Sequence, residues 1–146
     1  MDFLKKLFNA GDDAEQVDYY REGLELLGVG RFHEALTSFR LALRERPDDI
    51  ATLQQMAITY TRIGMTDEAA KTYRAVLQRD AGAVGAHYGL AFLLLREGRT
   101  DEAREHLQRF LATPPDRPEA QSHIDHARAT LERLDGDTVP NADAIQ

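Results

Sequence analysis

The chain has 146 residues, 42% hydrophobic and 29% charged, the makeup of one globular domain rather than of a disordered chain. Lys and Arg number 18 against 25 Asp and Glu, and the net charge of -7 disfavours nucleic acid, whose affinity comes largely from phosphates neutralised by basic side chains. With no cysteine, disulfides, thiolate metal sites and thiol catalysis are excluded together.

At the amino end, Phe3, Leu4, Leu7 and Phe8 fall on one helical face, with Lys5 and Lys6 opposite. The lysines break the apolar run, so it is neither a secretory signal core nor the ~18 apolar residues of a membrane span. Residues 1–15 read as an amphipathic segment and linker. Three occupants suit such a segment: a membrane surface, a partner protein or second copy of the chain, and its own first repeat. The expected location is cytoplasmic, and membrane-peripheral if the first holds.

From residue 16 the chain repeats itself. Gly30, Gly64 and Gly98 lie 34 residues apart, and each is followed by Glu-Ala at matched positions: Glu34-Ala35, Glu68-Ala69 and Glu102-Ala103. Phe39, Tyr73 and Leu107 form a large apolar column, and Gly23, Ala57 and Ala91 a small one. In the second unit Leu53, Met56, Ala57 and Tyr60 recur at helical spacing, as do Ala69, Tyr73, Val76 and Leu77 after Gly64. Each unit is therefore two helices, with the glycine at the end of the first, where a left-handed residue is often required. Thr66 and Thr100, each followed by acids, are expected to cap the second helix of their units. Pro47 and Pro115 mark unit boundaries. Beyond the third unit, Ala120, Ile124, Ala127, Leu131 and Leu134 trace one more amphipathic helix over 118–134, expected to close the exposed end of the stack. Asp135-Gly136-Asp137 is read as its stop, with 135–146 a flexible tail.

The pattern resembles the tetratricopeptide repeat, a 34-residue helix–turn–helix unit. The first unit, 16–49, matches with Tyr19, Gly23, Leu26, Ala35, Phe39, Ala42 and Pro47. The second, 50–83, offers Leu53, Met56, Ala57, Tyr60, Ala69, Tyr73 and Val76; the third, 84–117, offers His87, Leu90, Ala91, Leu94, Ala103, Leu107, Phe110 and Pro115. Glu22 stands where the pattern wants leucine. The resemblance implies an all-α fold, a right-handed α-solenoid of three such units with a terminal solvating helix. It also implies that the first helix of each unit lines a concave groove.

Carried onto this chain, the family's groove positions give Val17, Tyr20, Leu24, Leu27 and Gly28, then Ala51, Gln54, Ile58, Thr61 and Arg62, then Gly85, Tyr88, Phe92, Leu95 and Arg96; Tyr20, Leu24, Leu27, Ile58, Tyr88, Phe92 and Leu95 are the apolar members. Such an apolar set on a wet surface suggests an interaction site. The implied function is an adaptor or assembly factor that captures an apolar peptide or amphipathic helix, with Arg62 and Arg96 meeting an acidic group. The alternative is a permanent subunit of a larger, membrane-associated complex anchored through residues 3–8, and homo-oligomers fit either reading. Chaperone-binding members of the family clamp a terminal carboxylate with lysine, asparagine and arginine. Here those positions hold Tyr20, Leu24, Gln55, Gly85 and Gly89, so that clamp is missing. Gly85 and Gly89, one turn apart, suit close approach of a bound backbone or packing against the preceding helix.

No pattern of enzyme chemistry emerges: there is no Gly-rich phosphate loop, no Gly-x-Ser-x-Gly elbow and no His-Glu-x-x-His. His123 and His126 share a helical face without a third ligand at metal-site spacing, and are read as solvated. His87 falls in a packing column. No cofactor and no metal are expected.

Overall fold

The computed structural model describes residues 16–138. The amphipathic segment with Phe3, Leu4, Leu7 and Phe8, and the tail beyond Thr138, lie outside the described residues. The described chain is all-α: α1 Tyr19–Gly28, α2 Phe32–Glu45, α3 Ile50–Arg62, α4 Thr66–Arg79, α5 Val84–Arg96, α6 Thr100–Ala112, a 3-10 turn at Pro118–Ala120 and α7 Gln121–Thr138. None of these helices is long and apolar enough to cross a membrane. The chain divides into two compact units, one ending at Pro47 and the other beginning at Asp48.

In the first unit α1 packs on α2. Asp18 caps α1, its Oδ1 accepting from the Arg21 amide at 3.1 Å. The Phe39 ring lies so close to the α1 backbone at Gly23 that a Cβ there would overlap it. Glu22 is exposed, which explains why an acid is tolerated where an apolar residue is usual.

In the second unit α3 pairs with α4 and α5 with α6, α4 packs on α5, and α7 packs on α6. Tyr73, Val76, Leu90, Leu93, Leu94, Leu107 and Phe110 are buried among them. Ala120, Ile124, Ala127 and Leu134 close this core by joining Ala91, Leu107 and Phe110. The apolar stripe read from the sequence is thus the buried face of α7.

The turn inside each helix pair shows why glycine recurs. Gly30, Gly64 and Gly98 have φ of 80°, 81° and 76°, the left-handed region. After each, the next amide closes on the last helical turn: Arg31 N–H to Leu26 O, Met65 N–H to Tyr60 O and Arg99 N–H to Leu94 O, all 2.9 Å. These glycines terminate their helices as the sequence suggests. The threonines do not cap. Met65 and Arg99 occupy the cap positions, no side chain accepts there, and Thr66 and Thr100 are the first helical residues. In the first and third pairs the preceding arginine instead reaches Glu34 or Glu102 in the first turn, Arg31 Nε to Glu34 Oε1 at 2.8 Å and Arg99 Nε to Glu102 Oε1 at 3.0 Å. These exposed pairs contribute little to stability.

A second correction concerns the end of α7. The helix runs through Asp135-Gly136-Asp137 to Thr138 instead of stopping at Leu134. Arg104 on α6 accounts for this: its Nη2 donates to the Leu134 carbonyl at 3.4 Å, and its Nε lies 3.2 Å from Asp135 Oδ1. A cation placed near the last turns complements the helix dipole and extends the helix past the apolar pattern.

Candidate protein-binding groove

The second unit contains a groove of about 510 Å³. One wall is α3, with Gln54, Gln55 and Ile58; the floor is α5, with Gly85, Tyr88 and Gly89; the far wall is Pro115, Arg117, Glu119, Ala120 and His123. Tyr73 and Phe110 reach its base from the core. Of the residues expected from the sequence, Gln54, Ile58, Gly85, Tyr88 and Gly89 converge here.

Ile58 is 38% exposed, a large aliphatic side chain facing water at the rim. Gly85 is open: a Cβ there would meet no atom within 4 Å. Gly89 is the opposite case, because the Tyr73 ring and hydroxyl already occupy the space a Cβ would need. Of the two explanations for that glycine, packing against the preceding helix is the one realised. Burial pushes the Tyr73 hydroxyl above its ordinary pKa, against a smaller downward pull from its hydrogen bond with Thr61. The half-buried Tyr88 is raised by burial as well. Both phenols therefore stay neutral hydrogen-bonding groups at the groove.

The other expected groove residues lie elsewhere. Phe92 and Leu95 are half-buried against the core cluster that α7 completes. Phe92 stacks on the His126 ring, with centroids 4.5 Å apart and planes 9° from parallel. Arg62 and Arg96 are exposed in the last turns of α3 and α5, outside the groove lining. In the first unit Leu24 is 36% exposed, while Tyr20 and Leu27 are half-buried, Tyr20 with its ring 6.2 Å from Phe39.

His123 and His126 need a correction too, since neither is merely solvated. His123 sets its ring edge-on to Tyr88, centroids 4.9 Å apart, and Tyr88 Oη lies 3.1 Å from His126 Nδ1. Together they join α7 to α5. Among the described residues no three His, Asp or Glu side chains converge on a point where a metal could sit. The far wall, Pro115 to His123, was not foreseen. It arises because α7 packs on α6 much as α5 packs on α4, so its approach supplies a further inner helix. The stripe Ala120–Leu134 predicts that helix, but the 34-residue repeat ends at Arg117 and carries no signal that the next helix also lines the groove.

Helix pairs recurring every 34 residues, each closed by a left-handed glycine and finished by a polar-faced terminal helix, define a helical-repeat protein. Residues 64–124 match the family model described as Tetratricopeptide repeat, so this stretch of the chain is similar to tetratricopeptide-repeat proteins. It is 33% identical over 78 residues to the TPR repeat-containing protein MJ1428 of Methanocaldococcus jannaschii, covering 53% of this chain and 13% of that protein. It is 36% identical over 84 residues to the photosystem I assembly protein Ycf3 of Prochlorococcus marinus (strain MIT 9303), covering 55% of this chain and 49% of that one. The chain thus spans about half or less of these relatives. Among solved structures, the Yersinia enterocolitica type III secretion chaperone SycD, in complex with a peptide of the translocator YopD, superposes with a TM-score of 0.77 at 19% identity, over 88% of this chain and 96% of that one. That likeness shows the fold.

Proposed function

We propose that the protein is a non-catalytic adaptor or assembly factor that holds an apolar segment of a partner protein in the groove of its second unit. The observation that carries this reading is the open floor at Gly85 beside the exposed Ile58 and the Tyr88 ring. An apolar trough with a few polar groups at its edges is the usual form of a ligand site. Gln54 and Gln55 can donate to and accept from a peptide backbone, and Arg117 offers a cation to an acidic side chain. The cation therefore sits on the far wall, which makes Arg117 a better-placed partner for a carboxylate than Arg62 or Arg96. Relatives support the class of role: Ycf3 is named for assembly, and the SycD structure contains a peptide of its translocator.

Selecting a displayed peptide library on the full chain tests the proposal. Peptides with apolar residues and an acidic one should be enriched, and Gly85→Leu, whose Cβ meets no atom within 4 Å and whose longer side chain fills the floor, should lose them at least tenfold. Equal enrichment on both proteins would place binding outside the groove.

A further inference from the structure

Where the first two units carry Tyr19 and Leu53, the third carries His87, a titratable ring only 4% exposed. Both of its nitrogens are engaged. Nε2 lies 2.8 Å from the carbonyl oxygen of Ala81, ahead of α5, and Nδ1 lies 2.9 Å from Nδ1 of His106 on α6. A carbonyl only accepts, so His87 Nε2 carries a hydrogen and Nδ1 of the neutral ring carries a lone pair. His106 then donates from its own Nδ1. Two nitrogens at that separation are held together by one hydrogen, and by neither two nor none.

We propose that His87 and His106 form a proton-sharing latch between the two helices of the third unit, closed by a single hydrogen between their Nδ1 atoms and opened when both rings are protonated. One added proton is tolerated, because the ring that remains neutral supplies the lone pair. With two, N–H faces N–H and the bond is lost. The charged groups around the pair do not relieve it. Arg74 comes from α4, Arg109 and Glu105 from α6 itself, and burial, His87, Arg109 and Arg74 all hold His106 below the ordinary histidine pKa, with Glu105 alone opposing.

The unfolded chain protonates both rings in the ordinary histidine range, about 6.5, while the Nδ1–Nδ1 contact has room for only one added proton as long as the latch is closed. Stability contributed by the pair is therefore complete above that range and is lost as pH falls through it and below. Each proton bound in excess by the unfolded chain raises the unfolding constant tenfold per pH unit. Because α5 also carries Gly85, Tyr88 and Gly89, opening the latch loosens the groove floor; this consequence rests on the groove reading, and the latch does not.

Nitrogen-15 NMR of the histidine rings in the full chain tests the latch, followed by urea unfolding between about pH 7.5 and pH 5. The expected neutral forms are Nε2–H for His87 and Nδ1–H for His106, the latter being the less common tautomer in water. As pH falls below the histidine range, the unfolding constant of the unaltered chain should rise more steeply than that of His87→Leu/His106→Leu, by up to about tenfold per pH unit, since His33, His123 and His126 are common to both. Two Nε2–H rings titrating independently in the ordinary range would overturn the latch, as would equal acid dependence in the two proteins. The ring spectra of the unaltered chain decide the question even if the double variant fails to fold.

Discussion

Gly85 and Gly89 sit four residues apart on one helix, yet replacing each by alanine should move stability in opposite directions. At Gly85 the added methyl meets nothing within 4 Å, so only the loss of unfolded-chain freedom counts, worth about 0.4–1 kcal/mol in favour of the fold. That corresponds to a rise in Tm of about 1–4 °C for a domain near this size. At Gly89 the same gain is opposed by overlap with Tyr73, which is 5% exposed and has little room to yield. Overpacking of this kind costs roughly 1–3 kcal/mol, which outweighs the gain by up to about 2.6 kcal/mol. Urea denaturation followed by circular dichroism measures both. A double-mutant cycle with Tyr73→Leu, the residue type found at Leu107 in the same column, isolates the cause: Gly89→Ala should cost at least about 1 kcal/mol less in that background. Equal effects at the two glycines, or additivity in the cycle, would refute the packing assigned to Gly89 and with it the distinction between a filled and an open floor.

Other expectations follow from the same contacts. Ile124→Ala on α7 removes a side chain that is 8% exposed in the closing core, and should lower the free energy of unfolding by about 2–4 kcal/mol, whereas Arg128→Ala on the exposed face should change it by less than about 0.5 kcal/mol. Gly64→Ala forces alanine to a φ of 81°, and should cost about 1–2 kcal/mol in thermal or chemical unfolding. Thr100→Ala should be close to neutral, within about 0.5 kcal/mol, because its hydroxyl caps nothing; a loss of about 1 kcal/mol or more would restore the capping role that the structure denies it.

The architecture was legible because its determinants are local and periodic. A glycine that must adopt positive φ leaves the same residue at every helix end, and a buried helix face leaves apolar residues at helical spacing. The groove was legible only in part, for reasons visible at particular residues. Ile58, Gly85 and Tyr88 follow from their places in the repeat. Phe92 and Leu95 occupy equivalent places, but α7 draws them into the core, and no pattern within one repeat reports what the terminal helix covers. Gly89 reads identically to Gly85 until Tyr73 is placed beside it. The capping threonines failed for a different reason: a threonine before two acids fits both the cap and the first helical position, and backbone geometry chooses between them. The pairing of His87 with His106 joins residues on different helices, and nothing in their spacing announces it.

The most direct test of the groove is chemical-shift mapping by NMR, with a library-selected peptide titrated into the full isotope-labelled chain. Shifts centred on Ile58, Gly85, Tyr88, Gly89 and His123, and lost in Gly85→Leu, are the expected result. Shifts confined to the exposed faces of α4 and α6, or unchanged by filling the floor at Gly85, would contradict it.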